Sequence, residues 1–428
     1  MERFVIEGGN TLQGTVTIKG AKNSMLPIMA ASVLNSSDRN IELFNIPDII
    51  DMHVMKIILE SLGLEVVFSN NTLTINTKRL SSYAVSDELM REMRSSIFLM
   101  GPLLARLGKV RVTYPGGCSI GPRPIDLHFK GLEALGAEIR EENGSIFARA
   151  PYLKGAVIHL DFPSVGATEN LMMAAVLARG KTVLHNVAKE PEIVDLQNFL
   201  NGMGAIVRGA GTDTIRITGV EALGSCSYRI IPDRIVAGTF LMAAAATGGE
   251  ILVKGIIPSH LDAVVAKMRE AGAELEAYED SLFIRKSKLK GVEKVCTLPY
   301  PGFPTDLQAP MMVLLALARG RSTIVESIFE ARFKHAYELQ RMNARIHIDG
   351  RKAYLWGVDK LSGTDVVATD LRAGAALVIA GLAAEGITTV HNIRHIDRGY
   401  ERLEIDLQKL GAKIQREKGL HEQKAASC

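Results

Sequence analysis

The 428-residue sequence holds four cysteines, one tryptophan and only 5% aromatic residues. Cys118, Cys226, Cys296 and Cys428 lie far apart, with no C-x-x-C pair and no histidine cluster. A disulfide framework or a zinc site is therefore not indicated, and no metal is expected. Neither G-x-x-x-x-G-K-[ST] nor H-E-x-x-H occurs, so the common phosphate-loop and zinc-hydrolase fingerprints are absent and no cofactor is expected. The longest apolar runs reach about half of the ~20 residues that span a bilayer. The opening "MERFVIEGGN" has no basic segment followed by an apolar core, so the expectation is a cytoplasmic protein without a membrane partner. A net charge of +3, few aromatics and no basic runs disfavour nucleic acid as a partner.

What the chain does contain is an internal repeat. A helix end, a Gly or Asn and then a strand recur as "LESLGLEV", "LEALGAEI", "LNGMGAIV", "MREAGAEL", "LQRMNARI" and "LQKLGAKI". The punctuating residues are Gly63, Gly136, Gly204, Gly272, Asn343 and Gly411, separated by 73, 68, 68, 71 and 68 positions. Glycine and asparagine are the residues that most readily take the left-handed conformation that ends a helix. Each unit also carries a helix apolar nearly all round, such as "ENLMMAAVLA" or "PMMVLLALARG". Such helices are buried, which makes the amphipathic helix before each Gly or Asn an outer one. Alternating segments such as "AEIREENGSIFARA" and "ARIHIDGRKAYLWG" read as β-hairpins with Asn-Gly or Asp-Gly turns. At this length roughly two or three domains are the prior. Six units of about 70 residues group most simply as two α/β domains of three, residues 22–229, and residues 1–21 with 230–418. Residues 419–428 lack apolar periodicity and read as a disordered tail.

The segments entering the buried helices are "GAKNS", "EMRSS", "SVGATEN", "PDRIVAGT", "FPTDLQ" and "TDLRAG". Helix N-termini at a surface present unpaired N–H groups that suit anions, and these entrances carry Lys22, Arg94, Arg234 and Arg372. Phosphorylated or carboxylated ligands are implied; capping and inter-repeat ion pairing is the plainer reading of any one residue. Between buried and outer helices lie "GGCSIGPRPIDLH", "AKEPEIVD", "FEARFKH" and "RHIDRGYER". In the first of these, Cys118 sits among glycines, five residues from Arg123. A nearby cation lowers a thiol's pKa, so this composition suits a lid with a reactive thiol, or else a surface turn with an incidental cysteine. Asp306, at a buried-helix entrance, suits either a general base or a simple N-cap.

The ordered set "GAKNS" (20–24), "MRSS" (93–96), "PGGCSIGPRPIDLH" (115–128), "SVGAT" (164–168), "EPEIVD" (190–195), "IPDRI" (231–235), "FPTD" (303–306), "ATDLRAGAAL" (368–377) and "HIDRGYERL" (395–403) closely resembles the UDP-N-acetylglucosamine enolpyruvyl transferases, over the chain to about residue 418. The resemblance implies a two-domain inside-out α/β barrel of six repeats. The implied activity is transfer of the enolpyruvyl group of phosphoenolpyruvate to the 3-hydroxyl of UDP-N-acetylglucosamine, the first committed step of peptidoglycan synthesis. It implies Lys22, Asn23, Arg123 and Arg398 around phosphoenolpyruvate. It implies Asn23, Arg94, Arg123, Pro124, Ile125, Asp126, Leu127, Ser164, Val165, Gly166, Asp306 and Ile328 around the nucleotide sugar. Cys118, Asp306, Lys22 and Arg398 are the implied catalytic set, with Cys118 protonating the methylene carbon and Asp306 accepting the hydroxyl proton. Arg332, Asp370, Arg372 and His395 are implied as supporting residues. The chain departs from the commoner family pattern at Ala331 and Val236, and "ARFKH" resembles the second copy carried by some Gram-positive bacteria. A shikimate-phosphate acceptor and a UDP-sugar-binding regulator without turnover are the alternatives; "PGGCSIGPRP" argues against the first and the joint presence of an acid and a base against the second.

Overall fold

The repeated Gly or Asn acts through its backbone. In the computed structural model, which describes residues 2–116 and 125–418, the five glycines have φ between +90° and +104° and Asn343 has φ +67°. Each follows an outer helix: Ile50–Ser61, Asp126–Ala134, Pro191–Gly202, Asp262–Glu270, Lys334–Arg341 and Leu403–Lys409. In all six the next residue's N–H donates back across the turn: Leu64 to Leu59, Ala137 to Leu132, Ala205 to Leu200, Ala273 to Met268, Ala344 to Leu339 and Ala412 to Leu407. That bond, between two apolar residues, closes a Schellman motif, and it leads the chain from helix straight into the next strand.

The six inner helices are Lys22–Ala31, Met100–Leu107, Val165–Ala175, Arg234–Thr247, Gln308–Ala316 and Leu371–Ala383. All nine residues of Gln308–Ala316 are buried, as are Leu371 to Leu382. The second inner helix is shorter than its apolar run suggests, because Arg94–Leu99 forms a 3-10 turn before it.

The described chain divides into two compact units, residues 19–116 with 125–231, and residues 2–18 with 232–418. Each unit has three inner helices and three sheets; Arg234–Thr247, Gln308–Ala316 and Leu371–Ala383 all pack on one another, whereas Lys22–Ala31 and Met100–Leu107 both pack on Val165–Ala175. In Lys181–His185, Thr214–Thr218 and their counterparts, buried residues alternate with more exposed ones, so one face of each sheet covers the helices. Helices inside and sheets outside make each unit an inside-out α/β barrel. Among the described residues five of the six sheets have four strands, one parallel strand beside three antiparallel ones, and the sixth, Lys109–Thr113 with Ser145–Arg149 and Glu138–Glu142, has the three antiparallel strands alone. In one of the five, Val295–Cys296 pairs parallel with Arg321–Val325, which pairs antiparallel with Lys352–Trp356. The last repeat borrows Glu2–Glu7 as its middle strand, between Ile387–His391 and Lys413–Lys418.

At the Glu138–Glu142 and Ser145–Arg149 hairpin, Asn143 and Gly144 both have positive φ, the geometry of a type I′ turn. In the second hairpin Asp349 stays paired with Lys352, so the two turn residues are Gly350 and Arg351 rather than Asp-Gly. No helix among the described residues is long and apolar enough to cross a membrane.

Candidate functional site

In the 232–418 unit, Asp306 lies in the 3-10 turn Thr305–Leu307 that enters the Gln308–Ala316 helix. It does not cap that helix. Its Oδ1 accepts from Arg332 Nη2 at 2.7 Å and its Oδ2 from Arg372 Nη2 at 3.0 Å, while both arginine side chains are about 5% exposed. Burial alone would raise this carboxyl, but the Arg372 and Arg332 guanidiniums outweigh it and hold Asp306 well below the carboxylate range. Each arginine is gripped from behind. Arg332 Nη1 donates to Thr305 Oγ1 at 3.1 Å, and Thr305 donates to Glu326 at 2.8 Å. Glu326 also accepts from Thr297 and from the amides of Ile328 and Phe329, which ties Ile328 to the same network. Arg372 Nη1 donates to the Tyr400 hydroxyl at 3.3 Å.

Asp370 supplies the cap of the Leu371–Ala383 helix, accepting from the amides of Arg372 and Ala373 at 2.9 and 3.0 Å. That cap fixes the backbone from which Arg372 reaches Asp306. His395 and Arg398 lie on the short Arg394–Asp397 helix and at its end. Burial and Arg398 lower the His395 pKa, with Asp370 opposing. The neighbouring Asp397 is held by Arg416 through two bonds of 2.9 and 2.7 Å, and Arg416 also holds Glu2 and Glu404. A bidentate pair of this kind fixes the segment that carries Arg398.

In the 19–231 unit, Lys22 opens the first inner helix, buried, with its Nζ 2.6 Å from Asp51. Asn23 beside it is exposed, and Ser24 donates to Asp195, which also accepts from the Tyr228 hydroxyl at 2.5 Å. Burial raises the Asp195 carboxyl, against the hydrogen bonds from Ser24, Tyr228 and the Ile231 amide and with Glu192 adding to the rise. Ser164 caps the helix Val165–Ala175 by accepting from Ala167. A methyl group at Gly166 would stand 3.4 Å from the rings of His128 and Phe98. His128 is buried, accepts at Nδ1 from Asn170 at 2.9 Å, and is pushed down to about 3 by burial and then by Arg94. Arg94, His128 and the Ser164–Gly166 turn are thus neighbours. Ile125 is buried, Asp126 exposed and Leu127 half-buried where the Asp126–Ala134 helix begins.

Cys118, Arg123 and Pro124, the proposed lid residues, lie outside the described residues, as does the 419–428 tail. Among the described residues no group of His, Cys, Asp and Glu is arranged to hold a metal ion. Sequence reasoning did not single out Asp51, His128, Asp195, Glu326 or Tyr400. His128, Asp195 and Tyr400 lie inside the quoted motifs, so their signal was present but undifferentiated. Asp51 is defined by Lys22, and Glu326 joins the site through Thr297 and Thr305, all distant in sequence.

Residues 6–407 match the EPSP synthase (3-phosphoshikimate 1-carboxyvinyltransferase) family. The chain is 55% identical to UDP-N-acetylglucosamine 1-carboxyvinyltransferase 2 of Carboxydothermus hydrogenoformans, over 97% of this chain and 99% of that protein. It is 57% identical to UDP-N-acetylglucosamine 1-carboxyvinyltransferase 1 of Symbiobacterium thermophilum, over 97% and 95%. Among solved structures it is similar to the enolpyruvyl transferase NikO of Streptomyces tendae, with a TM-score of 0.88 at 26% identity over 97% of this chain and 98% of that one. It shares the fold of EPSP synthase from Acinetobacter baumannii, with a TM-score of 0.74 at 18% identity over 98% of this chain and 100% of that one. The chain belongs to the EPSP synthase (3-phosphoshikimate 1-carboxyvinyltransferase) family and, within it, to the UDP-N-acetylglucosamine 1-carboxyvinyltransferases.

Proposed function

We propose that this protein transfers the enolpyruvyl group of phosphoenolpyruvate to the 3-hydroxyl of UDP-N-acetylglucosamine, releasing phosphate, as the committed cytoplasmic step of peptidoglycan synthesis. The observation that carries the catalytic part is the carboxylate of Asp306 held between Arg332 and Arg372 at an inner-helix entrance. In this chemistry the sugar hydroxyl oxygen bonds to C2 as C3 gains a proton. Phosphate then leaves C2 as C3 gives up a proton, restoring the double bond. An oxygen that has begun to bond to a cation-like carbon is far more acidic than a free alcohol, so a weakly basic carboxylate suffices to take its proton. Asp306 is such a base, ionised at all working pH values and oriented by two guanidiniums. Lys22, Arg123 and Arg398 would hold the phosphate and carboxylate of phosphoenolpyruvate, with Asn23 between the two substrates. Arg94, the 123–127 segment, Ser164 to Gly166 and Ile328 would hold the nucleotide sugar. Cys118 would protonate C3.

The test is phosphate release from phosphoenolpyruvate with UDP-N-acetylglucosamine or shikimate 3-phosphate as acceptor, in wild type and Cys118→Ala. Release with the nucleotide sugar alone, lost in the variant, is the expected result. Release with shikimate 3-phosphate would reassign the acceptor, and nucleotide-sugar binding without release would make the protein a sensor.

A further inference from the structure

The Arg372 guanidinium is held on Asp306 by a one-way chain of hydroxyls. Thr239 Oγ1 donates to the Ile235 carbonyl at 2.8 Å, so its single proton is committed there. The Tyr400 hydroxyl, 2.9 Å from Thr239 Oγ1, must then donate to Thr239, which leaves its oxygen to accept from Arg372 Nη1 at 3.3 Å. The chain runs Arg372 to Tyr400 to Thr239 to Ile235 and ends in the first turn of the Arg234–Thr247 helix, where Asp233 caps the amides of Ile235 and Val236. Tyr400 is 2% exposed and sits two residues after Arg398. We propose that Tyr400 is a positioning residue of the transfer reaction, its hydroxyl anchoring Arg372 so that Asp306 is aimed at the acceptor hydroxyl. This rests on Asp306 being the base.

The surroundings leave few substitutes for that anchor. The charged or titratable groups facing Arg372 and Asp306 are Asp233 from one inner helix, Tyr400 from the Arg398 segment, and Arg332 on the far oxygen of Asp306. Asp370 is engaged in capping. His335, pushed down to about 4 by burial and then by Arg332 against Asp370, is neutral at working pH. Without the Tyr400 oxygen, Arg372 Nη1 becomes a buried donor lacking its partner, and the guanidinium must turn to find another. Asp306 would then be oriented by Arg332 alone. Because Tyr400 acts through Arg372 and Asp306, the consequence belongs to turnover rather than to substrate affinity.

The experiment measures kcat and both KM values for Tyr400→Phe, Thr239→Val, the double variant and Asp306→Asn, with the melting temperature of each as a check on folding. Tyr400→Phe is expected to lower kcat about tenfold with KM values within about twofold. Thr239→Val removes only the far link and is expected to lower kcat about threefold, and the double variant is expected to equal Tyr400→Phe, because the chain fails as one unit. If Asp306→Asn loses turnover while Tyr400→Phe keeps wild-type kcat, or loses activity only through KM, the proposal is overturned and the base stands. Wild-type turnover in Asp306→Asn would overturn the base itself. Should Tyr400→Phe prove unfolded, Thr239→Val decides alone, with unchanged kcat counting against the proposal.

Discussion

Two carboxylates at inner helices, one in each unit, are treated in opposite ways. In the 232–418 unit, Asp306 meets two guanidiniums and is ionised. In the 19–231 unit, Glu169 on the Val165–Ala175 helix is fully buried, and neither of its oxygens has a hydrogen-bond partner among the described residues. Burial, then Glu192 and Glu190, raise its pKa well above the ordinary value and so favour its protonated form. Asp195 is raised too, though three donors partly offset the burial. Loss of hydration pushes all three carboxyls upward, although the Asp306 side chain is still 25% exposed; the charged neighbours of Asp306 reverse that push and those of Glu169 add to it. A cation on each oxygen keeps Asp306 ready to accept a proton, whereas burial, with neighbouring glutamates, favours the protonated form of Glu169.

The difference can be broken most severely at Asp306. Asp306→Asn is expected to lower turnover at least about hundredfold and to cost about 3 kcal/mol of stability by leaving two buried guanidiniums without their anion; phosphate release and urea unfolding measure the two losses. At Glu169 the sign reverses. Above about pH 4.5 an unfolded chain sheds this proton while the fold retains it, so the group destabilises the protein increasingly as pH rises through the interval up to its folded pKa. Glu169→Gln is therefore expected to gain about 1–2 kcal/mol at pH 8 and to differ little from wild type at pH 4, read by urea unfolding at the two pH values. The smallest effect is expected at Ser24→Ala, which removes one of three donors to Asp195 and costs about 1 kcal/mol. With the hydroxyl gone, the Asp195 carboxyl rises further, so the loss should be larger at pH 8 than at pH 5.

The repeat architecture was legible because it is written in backbone requirements. A left-handed residue every 70 or so positions, followed by an apolar partner for the Schellman bond, leaves a periodic trace of Gly or Asn and then Leu or Ala. The inner helices were legible because total burial erases amphipathicity. The site was legible in part. Motif resemblance singled out Asp306, Arg332 and Arg372, and the fold brings these three together. It did not reveal that both arginines grip the same carboxylate, since that depends on three segments meeting in space. Asp51 has no motif at all and is defined by Lys22, 29 positions earlier. Glu169 read as one polar residue in an apolar helix, and its raised pKa follows first from complete burial and then from Glu192 and Glu190 on a different segment.

The most direct measurement of the contrast is infrared difference spectroscopy of the carboxyl stretch at neutral pH, comparing wild type with Glu169→Gln and with Asp306→Asn. Wild type minus Glu169→Gln should contain a protonated carboxyl band, and wild type minus Asp306→Asn only ionised carboxylate bands. A protonated band assigned to Asp306 would contradict a base held ionised by two arginines.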